Sequence, residues 1–324
     1  MKLVRKIIFL ALQLYIFTAA PLHLYSLDLG FAKEDGGRPG AFLSYGAGAR
    51  SLAMGKTFVG VADDASATYW NPAGLGLLTQ KEINTLFASL YERTDLSFAS
   101  YVHPLRTSSL QSSAFSDFGT IGVSIVNLTS RGFQLRDENN YDLGEGGVTE
   151  SAAIISYGKQ IQVPDGSWQL AFGMNGKLVS QNVDARSDTD YGLDLGILAT
   201  FYPWSVGLAV QNVVAPQLTL LENTNQYPVA ATLGAGYRLF SDSLLLAVDV
   251  NKMVDRAFKV HFGAEYSLAQ MMAIRAGIDE TELTAGLGFT WQKYTLDYAF
   301  AYHDAIAGQK DLGVSHRMGI SVKF

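Results

Sequence analysis

The carboxy-terminal stretch of the chain, residues 283–324, reads LTAGLGFTWQKYTLDYAFAYHDAIAGQKDLGVSHRMGISVKF. Apolar and polar residues alternate through most of it, which is the period of a β-strand with two chemically different faces. One face of its first segment carries only apolar residues, namely Leu283, Ala285, Leu287, Phe289 and Trp291. Aromatic residues near the strand ends, including the last residue Phe324, predict a transmembrane β-barrel.

The composition agrees with a barrel and excludes several classes of protein. The 324 residues include 32 Gly, 16 Tyr and 18 Phe but only 8 Pro, which suits strands better than helices. The chain has no Cys, so disulfides and thiolate metal sites are excluded. Its formal net charge of −6 argues against nucleic acid as a partner.

The amino terminus resembles an export signal. Lys2, Arg5 and Lys6 precede an apolar run that extends from Ile7 to about Ala20. We therefore predict a signal peptide over residues 1–26, with cleavage near Ala20 or Ser26. An uncleaved anchor is the alternative, but the run is short for a span of about 20 residues. Because no later stretch is long and apolar enough for a helix, a membrane-spanning chain must form a barrel.

Alternating segments begin after residue 81, and we predict an all-β antiparallel barrel over residues 82–324. About fourteen strands are expected, an even number as in bacterial barrels. They are placed at about residues 82–92, 95–104, 118–128, 148–161, 167–181, 190–201, 204–212, 228–240, 243–252, 258–268, 271–279, 282–292, 293–303 and 312–324.

The predicted connections alternate in length along most of the chain, as in outer-membrane barrels with short periplasmic turns and longer outside loops. The long, polar links are expected at residues 129–147, 182–189, 213–227, 251–257 and 304–311. The alternation breaks at residues 104–117, 92–94 and 280–281, so the count could be wrong by one hairpin.

Charged residues decide which face meets lipid. Lys259 or Arg275 at the bilayer midplane would cost about 2–4 kcal/mol each, so the mixed face is expected to line the lumen. A soluble sandwich would bury the apolar face with the same alternation. The export signal, the strands of about ten residues and the aromatic ending favour a barrel among outer-membrane lipids.

A different pattern occupies residues 27–81, which we predict to be a partly helical segment. Asp64 is a plausible N-cap for a short helix over residues 65–70, and Asn71-Pro72 would end it. Residues 48–55, GARSLAMG, and 59–75, VGVADDASATYWNPAGL, resemble the amino-terminal signature of the PorV/PorQ group. That group is related to the FadL/TodX hydrophobic-compound transporters, whose Asn-Pro-Ala element matches Asn71, Pro72 and Ala73.

The resemblance implies a fourteen-stranded outer-membrane barrel whose segment 27–81 folds into the lumen as a hatch. One residue departs from the pattern, since Lys56 stands where members of the group commonly have glycine. Apolar hatch residues could line a ligand pocket, or could simply fill the core of the plug. The candidates are Met54, Phe58, Val61, Tyr69, Trp70, Asn71, Pro72 and Leu75.

Catalytic motifs are not found in the sequence. It has no His-Glu-x-x-His element and no Gly-x-Ser-x-Gly elbow, so we expect neither an enzyme nor a bound cofactor or metal. Asp63-Asp64 could form a carboxylate pair or a calcium site, but helix capping is the simpler interpretation. Inward charges of both signs indicate a wetted lumen without clear ion selectivity.

The leading hypothesis for function follows from the resemblance. It is passive, FadL-like uptake of hydrophobic compounds such as long-chain fatty acids through a hatch-blocked lumen. The alternative is a PorV-like component of type IX protein secretion, in which the outside loops bind secretion-system proteins or exported cargo. A general porin is disfavoured, because a plugged lumen conducts poorly. Phe324 resembles the signal that the barrel-assembly machinery recognises.

Overall fold

The structure is a computed structural model that describes residues 39–91, 93–106, 117–136, 139–162, 168–184, 186–220, 224–254, 256–269, 271–279, 282–303 and 313–324. The predicted signal peptide and the first part of the predicted hatch lie outside these residues. Short helices come first in the chain: a 3₁₀ helix at Ala41–Ser44, α1 at Ala49–Ala53, α2 at Ala67–Trp70 and a second 3₁₀ helix at Pro72–Leu77.

Strands account for most of the remaining described residues. They are β1 Glu82–Tyr91, β2 Thr94–Arg106, β3 Asp117–Arg136, β4 Asp142–Gln162, β5 Gln169–Val183, β6 Arg186–Phe201, β7 Trp204–Val214, β8 Gln217–Thr219, β9 Thr224–Gln226, β10 Ala230–Leu239, β11 Leu244–Met253, β12 Phe258–Leu268, β13 Met272–Ile278, β14 Leu283–Trp291, β15 Tyr294–Tyr302 and β16 Val314–Lys323.

Fourteen of these strands form one closed antiparallel barrel, and β1 closes it by pairing with β16. The remaining strands, β8 and β9, pair only with each other, in the link between β7 and β10. The predicted fold and strand number are therefore confirmed. No helix in the described part of the chain is long and apolar enough to cross a membrane.

The two faces of the wall differ in the way that the alternation predicts. Leu287 and Met318 on the outer surface are 53% and 57% exposed, whereas Lys259 and Arg275 on the lumen side are buried. We call the end with the short turns, such as that at Gln292, the inner end, and the opposite end the outer end. Short turns face the periplasm in outer-membrane barrels.

Two predicted links at the outer end are mostly strand. β3 and β4 are 20 and 21 residues long and pair up to Arg136 and Asp142, within the predicted loop 129–147. β5 and β6 likewise extend into the predicted loop 182–189. The prediction was wrong here because polar residues were taken as loop, although strand pairing by backbone hydrogen bonds continues beyond the apolar band.

The predicted helix at residues 65–70 is shorter than expected. α2 begins at Ala67, and Asp64 instead accepts hydrogen bonds from the backbone N–H and the hydroxyl of Ser66 at 2.8 and 2.6 Å. Because Asp64 is satisfied within this turn, the helix starts two residues later than a direct N-cap would allow. Asn71 is extended and ends the helix, as predicted.

Candidate functional site

The hatch, which we now define as the described residues 39–78, lies directly against the inner surface of the barrel. A Cβ placed on Gly173 would lie 2.2 Å from the carbonyl carbon of Pro72, and one on Gly277 would lie 2.1 Å from the nitrogen of Gly55. Glycine is required at such positions because backbone meets backbone. Similar contacts to the hatch occur at Gly122, Gly158, Gly196, Gly207, Gly234, Gly263, Gly286 and Gly319.

Polar side chains fix the hatch to this glycine surface. The Asn71 amide donates to the carbonyl of Val59 at 2.9 Å and to that of Ile197 in β6 at 3.1 Å. From β11, three strands further around the barrel, the Asp249 carboxylate accepts the backbone N–H groups of Phe58 and Val59 at 2.9 Å. The Asn-Pro-Ala element therefore has a structural role, because Asn71 joins two parts of the hatch to the wall.

Above the hatch, towards the outer end, the lumen wall is apolar. Strands β1 to β5 contribute a set of apolar inward side chains, all of them buried, which we call the apolar wall. Its members are Leu86, Ala88, Leu90, Leu96, Phe98, Val126, Leu128, Ala152, Ile154 and Val179. Phe42, Leu52 and Tyr69 of the hatch pack in the same cluster. Leu218 and Tyr227, from the link that contains β8 and β9, complete it.

The predicted pocket residues lie in different places. Tyr69 belongs to the cluster of the apolar wall, and Trp70 packs at its edge. Met54, Phe58 and Val61 pack instead with Leu245 and Ala247 on the other side of the lumen.

The other predicted residues are also inside the plug. Leu75 packs with Val102 and Leu198, while Asn71 and Pro72 meet the glycine surface. Tyr69 donates its hydroxyl to the Leu43 carbonyl, and Trp70 donates to Ala47 at 2.8 Å. A ligand-lining role for the eight residues stays a prediction, since most of them make contacts that hold the plug together.

Sequence reasoning missed the apolar wall itself. The signal was present in β1, where Leu86 and Leu90 face inward while Phe87 between them faces outward. A strand that is apolar on both faces does not fit a wetted lumen, in which one face is polar. This segment therefore could have indicated an apolar compartment inside the barrel.

The inner half of the lumen is built from charges. Arg50 in α1 donates to both carboxylate oxygens of Glu265 in β12, at 2.8 and 2.9 Å. Arg275 in β13 donates to Glu265 and to Asp297 in β15, both at 2.6 Å. These groups border a cavity of about 270 Å³, the inner cavity, which extends to Thr290 and Lys323 near the inner end.

Hatch carboxylates join this network. Asp63 pairs with Arg50 and, at 3.0 Å, with Arg238 in β10. Burial raises the pKa of the Asp63 carboxyl, but the positive charges of Arg50 and Arg238 outweigh that effect and hold this pKa below its usual value. Asp63 and Asp64 are thus ion-pair partners of arginine. Within the described ranges, no group of His, Asp and Glu side chains could hold a metal ion.

Lys56 shows why glycine is expected at its position. Its backbone φ is +65°, in the left-handed region that glycine adopts most easily. Its ammonium group lies 2.9 Å from Asp279 and 3.6 Å from Glu282, at the outer end of β13 and β14. In this chain an ion pair between hatch and wall offsets the strain of a non-glycine residue.

Comparison with known proteins shows similarity in fold. A family model described as "F plasmid transfer operon, TraF, protein" matches residues 174–296. None of the proteins with curated functions matches the chain in sequence. Among solved structures, the toluene transporter TodX of Pseudomonas putida is 12% identical with a TM-score of 0.59, covering 90% of this chain and 98% of that chain.

Two further structures are similar. The toluene transporter TbuX of Ralstonia pickettii is 15% identical with a TM-score of 0.57, and covers 86% of this chain and 98% of that chain. A structure described as the CymD monoaromatic hydrocarbon channel is 13% identical with the same TM-score and the same coverage. The chain therefore shares the fold of these three structures, whereas its assignment to the PorV/PorQ group and its relation to FadL stay predictions. A closed fourteen-stranded barrel with an apolar exterior is a protein of the outer membrane.

Proposed function

We propose that this protein is an uptake channel for small hydrophobic compounds. The observation that carries the proposal is the apolar wall, because water-filled barrels have a polar interior. Phe98 and Val126 are almost completely buried on the lumen side of a barrel whose outer surface is also apolar. A hydrophobic solute that binds to such a surface buries apolar area away from water. Each Å² of this area stabilises the bound solute by about 25 cal/mol.

The chemical class of the solute is a finer proposal. The structures described as toluene transporters and as a monoaromatic hydrocarbon channel share the fold, which supports small aromatic hydrocarbons as substrates. The resemblance of residues 48–75 to the PorV/PorQ signature supports long-chain fatty acids instead. Toluene and oleate are therefore the two probes that separate these possibilities.

The hatch must move for a solute to pass. In the described part of the chain its backbone lies against glycines on many wall strands, so the hatch occupies this layer of the lumen. We propose that a solute first displaces Tyr69 from the apolar wall and takes its place, and that further displacement of hatch residues then releases it. Flow would follow the concentration gradient.

Uptake by whole cells tests the function. A host bacterium that expresses the protein should take up labelled toluene or oleate faster than the same host without it. Val126→Asp should reduce this uptake about tenfold or more, because an unpaired charge is strongly disfavoured in an apolar site. Val126→Thr, which has nearly the same shape, should reduce it severalfold.

Ser267→Asp is the matched control, since Ser267 borders the inner cavity among other polar groups. It should leave uptake within about twofold of the wild type. Equal uptake of both probes with and without the protein, at equal amounts of folded barrel, would contradict the proposal.

A second function is favoured by one observation, the length of the β3–β4 hairpin. Its strands pair as far as Arg136 and Asp142, whereas β2 pairs with β3 only up to Ser130. The ribbon thus projects beyond its neighbours and exposes Phe133 and Tyr141. We propose this ribbon as the site at which exported cargo or secretion-system proteins would bind. Replacing residues 131–147 by a tight turn should then abolish secretion of surface cargo and leave toluene uptake unchanged.

The role of Phe324 as an assembly signal is likewise a proposal. Its backbone N–H donates to the Lys81 carbonyl at 2.9 Å, and its ring stacks against Tyr101 at 6.5 Å on the outer surface of the barrel. A half-exposed aromatic ring at the seam between β1 and β16 is accessible to the barrel-assembly machinery. Phe324→Ala should lower the yield of folded barrel in cells and leave refolding of the purified chain unchanged.

A further inference from the structure

Three neutral polar side chains lie next to one another on the lumen side of β1, β2 and β3. Asn84 is directly opposite Ser100, and Ser100 is directly opposite Ser124. We call these three residues the polar row. They are only 3%, 4% and 8% exposed, yet the Asn84 Oδ1 and the two serine hydroxyls have no hydrogen-bond partner. The Asn84 amide nitrogen is satisfied, since it donates to Ser321 at 2.9 Å.

Unsatisfied groups of this kind are rare. Most buried polar atoms in proteins have a partner, and leaving one without a partner is destabilising. Three at neighbouring positions are unlike isolated packing defects. Local violations of such rules concentrate at functional sites, where a ligand supplies the missing interaction.

The polar row borders the apolar wall. Two residues further along the same strands, Leu86, Phe98 and Val126 stand side by side in the same register. An apolar surface and a short strip of neutral hydrogen-bonding groups thus adjoin each other on one side of the lumen. This combination matches a molecule with an apolar body and one polar end.

We infer that the polar row binds the single neutral hydroxyl or carbonyl group of an otherwise hydrophobic compound, whose body lies on the apolar wall. The inference rests on the proposed uptake function and narrows its substrate class. A neutral group is indicated because the row carries no charge. The charged groups around the row are already paired: Glu82, two residues from Asn84 on the same face of β1, lies 3.7 Å from Lys323. Lys177 on β5 is paired with Asp194 at 2.6 Å.

The hatch controls access to this subsite. The Tyr69 ring packs edge-on against Phe98, with 6.3 Å between ring centroids, and Phe98 is two residues from Ser100 on the same face of β2. Because Tyr69 is held by its hydrogen bond to Leu43, the subsite is closed when the hatch is in place. Displacement of Tyr69 would open the row to a compound that already touches the apolar wall.

Binding of three matched probes to the full-length protein in nanodiscs tests the inference. Toluene, p-cresol and p-toluate share one apolar body and differ in having no polar group, a hydroxyl or a carboxylate. The wild type should bind p-cresol about tenfold more tightly than toluene, as one or two added hydrogen bonds imply. It should bind p-toluate no more tightly than toluene.

The double variant Ser100→Ala with Ser124→Ala should lose the preference for p-cresol and keep its affinity for toluene. It should also be at least as heat-stable as the wild type, because it removes two unsatisfied hydroxyls. Asn84→Leu is a second, independent variant with the same expected loss of preference. Ser267→Ala, on the opposite side of the lumen, is the control and should keep the preference.

The subsite is overturned if the wild type shows no preference for p-cresol, or if both variants keep the preference unchanged. Binding of toluene in the same experiment would still support the uptake function. Preferred binding of p-toluate would overturn it in favour of an anion site. Failure of all three probes to bind would overturn the subsite and the proposed function together.

Discussion

The half of the lumen formed by β1 to β5 and the half formed by β12 to β16 have opposite chemistry, since the second half carries buried charges at both ends, including the pair of Glu282 with Arg317 near the outer end. Towards the outer end, β1 to β5 present the apolar wall, in which Leu96 and Val126 are completely buried. Towards the inner end, β12 to β15 present Glu265, Arg275 and Asp297, linked to one another and to the hatch by charge-assisted hydrogen bonds. The hatch separates the two halves and contacts both.

The difference indicates how a channel of the proposed kind would select its solute. An apolar solute gains free energy on the apolar wall and would lose it among the charges of β12 to β16. On its inner side the hatch is attached to the wall by the ion pair between Arg50 and Glu265. On its outer side it is held by the apolar packing of Tyr69. Under the proposed function, hydrophobic contact with the apolar wall would control entry of the solute, and the ionic attachment of the hatch would control its release.

Locking the hatch should have the largest effect. Thr68 in α2 has its Cγ2 2.7 Å from the Cβ position of Gly122 in β3, so Thr68→Cys with Gly122→Cys places two sulfurs within disulfide range. The oxidised double variant should lose all uptake, and reduction should restore it. Since the natural chain has no Cys, the Thr68→Cys single variant is the control. Unchanged uptake in the oxidised protein would mean that the hatch need not move.

Weakening the ionic attachment should have the next largest effect. Glu265→Gln removes the acceptor that Arg50 and Arg275 share, and breaking a buried ion pair costs about 3–5 kcal/mol. We expect the hatch to become sensitive to protease from the inner side. Glu145→Gln is the control, because Glu145 is exposed and 3.8 Å from Arg93. Equal protease resistance of both variants would contradict the attachment.

The same attachment has a defined dependence on pH. Because the pKa of Asp63 lies below its ordinary value of about 3.9, its ion pair stabilises the hatch at all pH values above that. The contribution is lost only as the pH falls through the lowered pKa. Protease resistance of the hatch should therefore be equal at pH 7 and pH 5 and fall below about pH 4. Loss of resistance already between pH 7 and pH 5 would show that other groups hold the hatch.

Disturbing the glycine surface should have a moderate effect. Gly173→Val would push side-chain atoms into Pro72 and should destabilise the seated hatch by about 2 kcal/mol. Gly176→Val on the same strand is the control, since a Cβ there meets no atom within 4 Å. The difference should appear in the urea midpoint of hatch release, followed by Trp70 fluorescence. Identical midpoints would argue against backbone contact at this layer.

The smallest effect is expected at Lys56. Lys56→Gly loses the ion pair with Asp279 but relieves the left-handed backbone, so the two changes partly cancel. Lys56→Met loses the pair and keeps the strain. The methionine variant should be less stable than the glycine variant by about 1 kcal/mol in the same urea experiment. The reverse order would show that backbone strain does not act here.

Periodicity predicted the barrel, because β14 to β16 separate apolar from polar residues along most of their length. It could not predict the full length of β3 and β4, since alternation carries no signal where both faces meet water. The contacts between the hatch and the wall could not be predicted from the sequence either. The sequence shows that Gly277 faces the lumen, but only the fold places Gly55 against it.

The polar row illustrates the same limit at the candidate site. Asn84, Ser100 and Ser124 read individually as ordinary residues of a wetted lumen. Their adjacency depends on strand register, and their lack of partners depends on the packing around them. Both are tertiary properties that local alternation does not encode.

The central claim is that hydrophobic compounds bind to the apolar wall of β1 to β5, and anomalous diffraction tests it most directly. Crystals of the protein soaked with 4-bromotoluene should show bromine within about 4 Å of Leu86, Phe98 or Val126, beside Tyr69 of the hatch. Bromine found only on the lipid-facing surface, or in the inner cavity beside Arg275, would contradict the account.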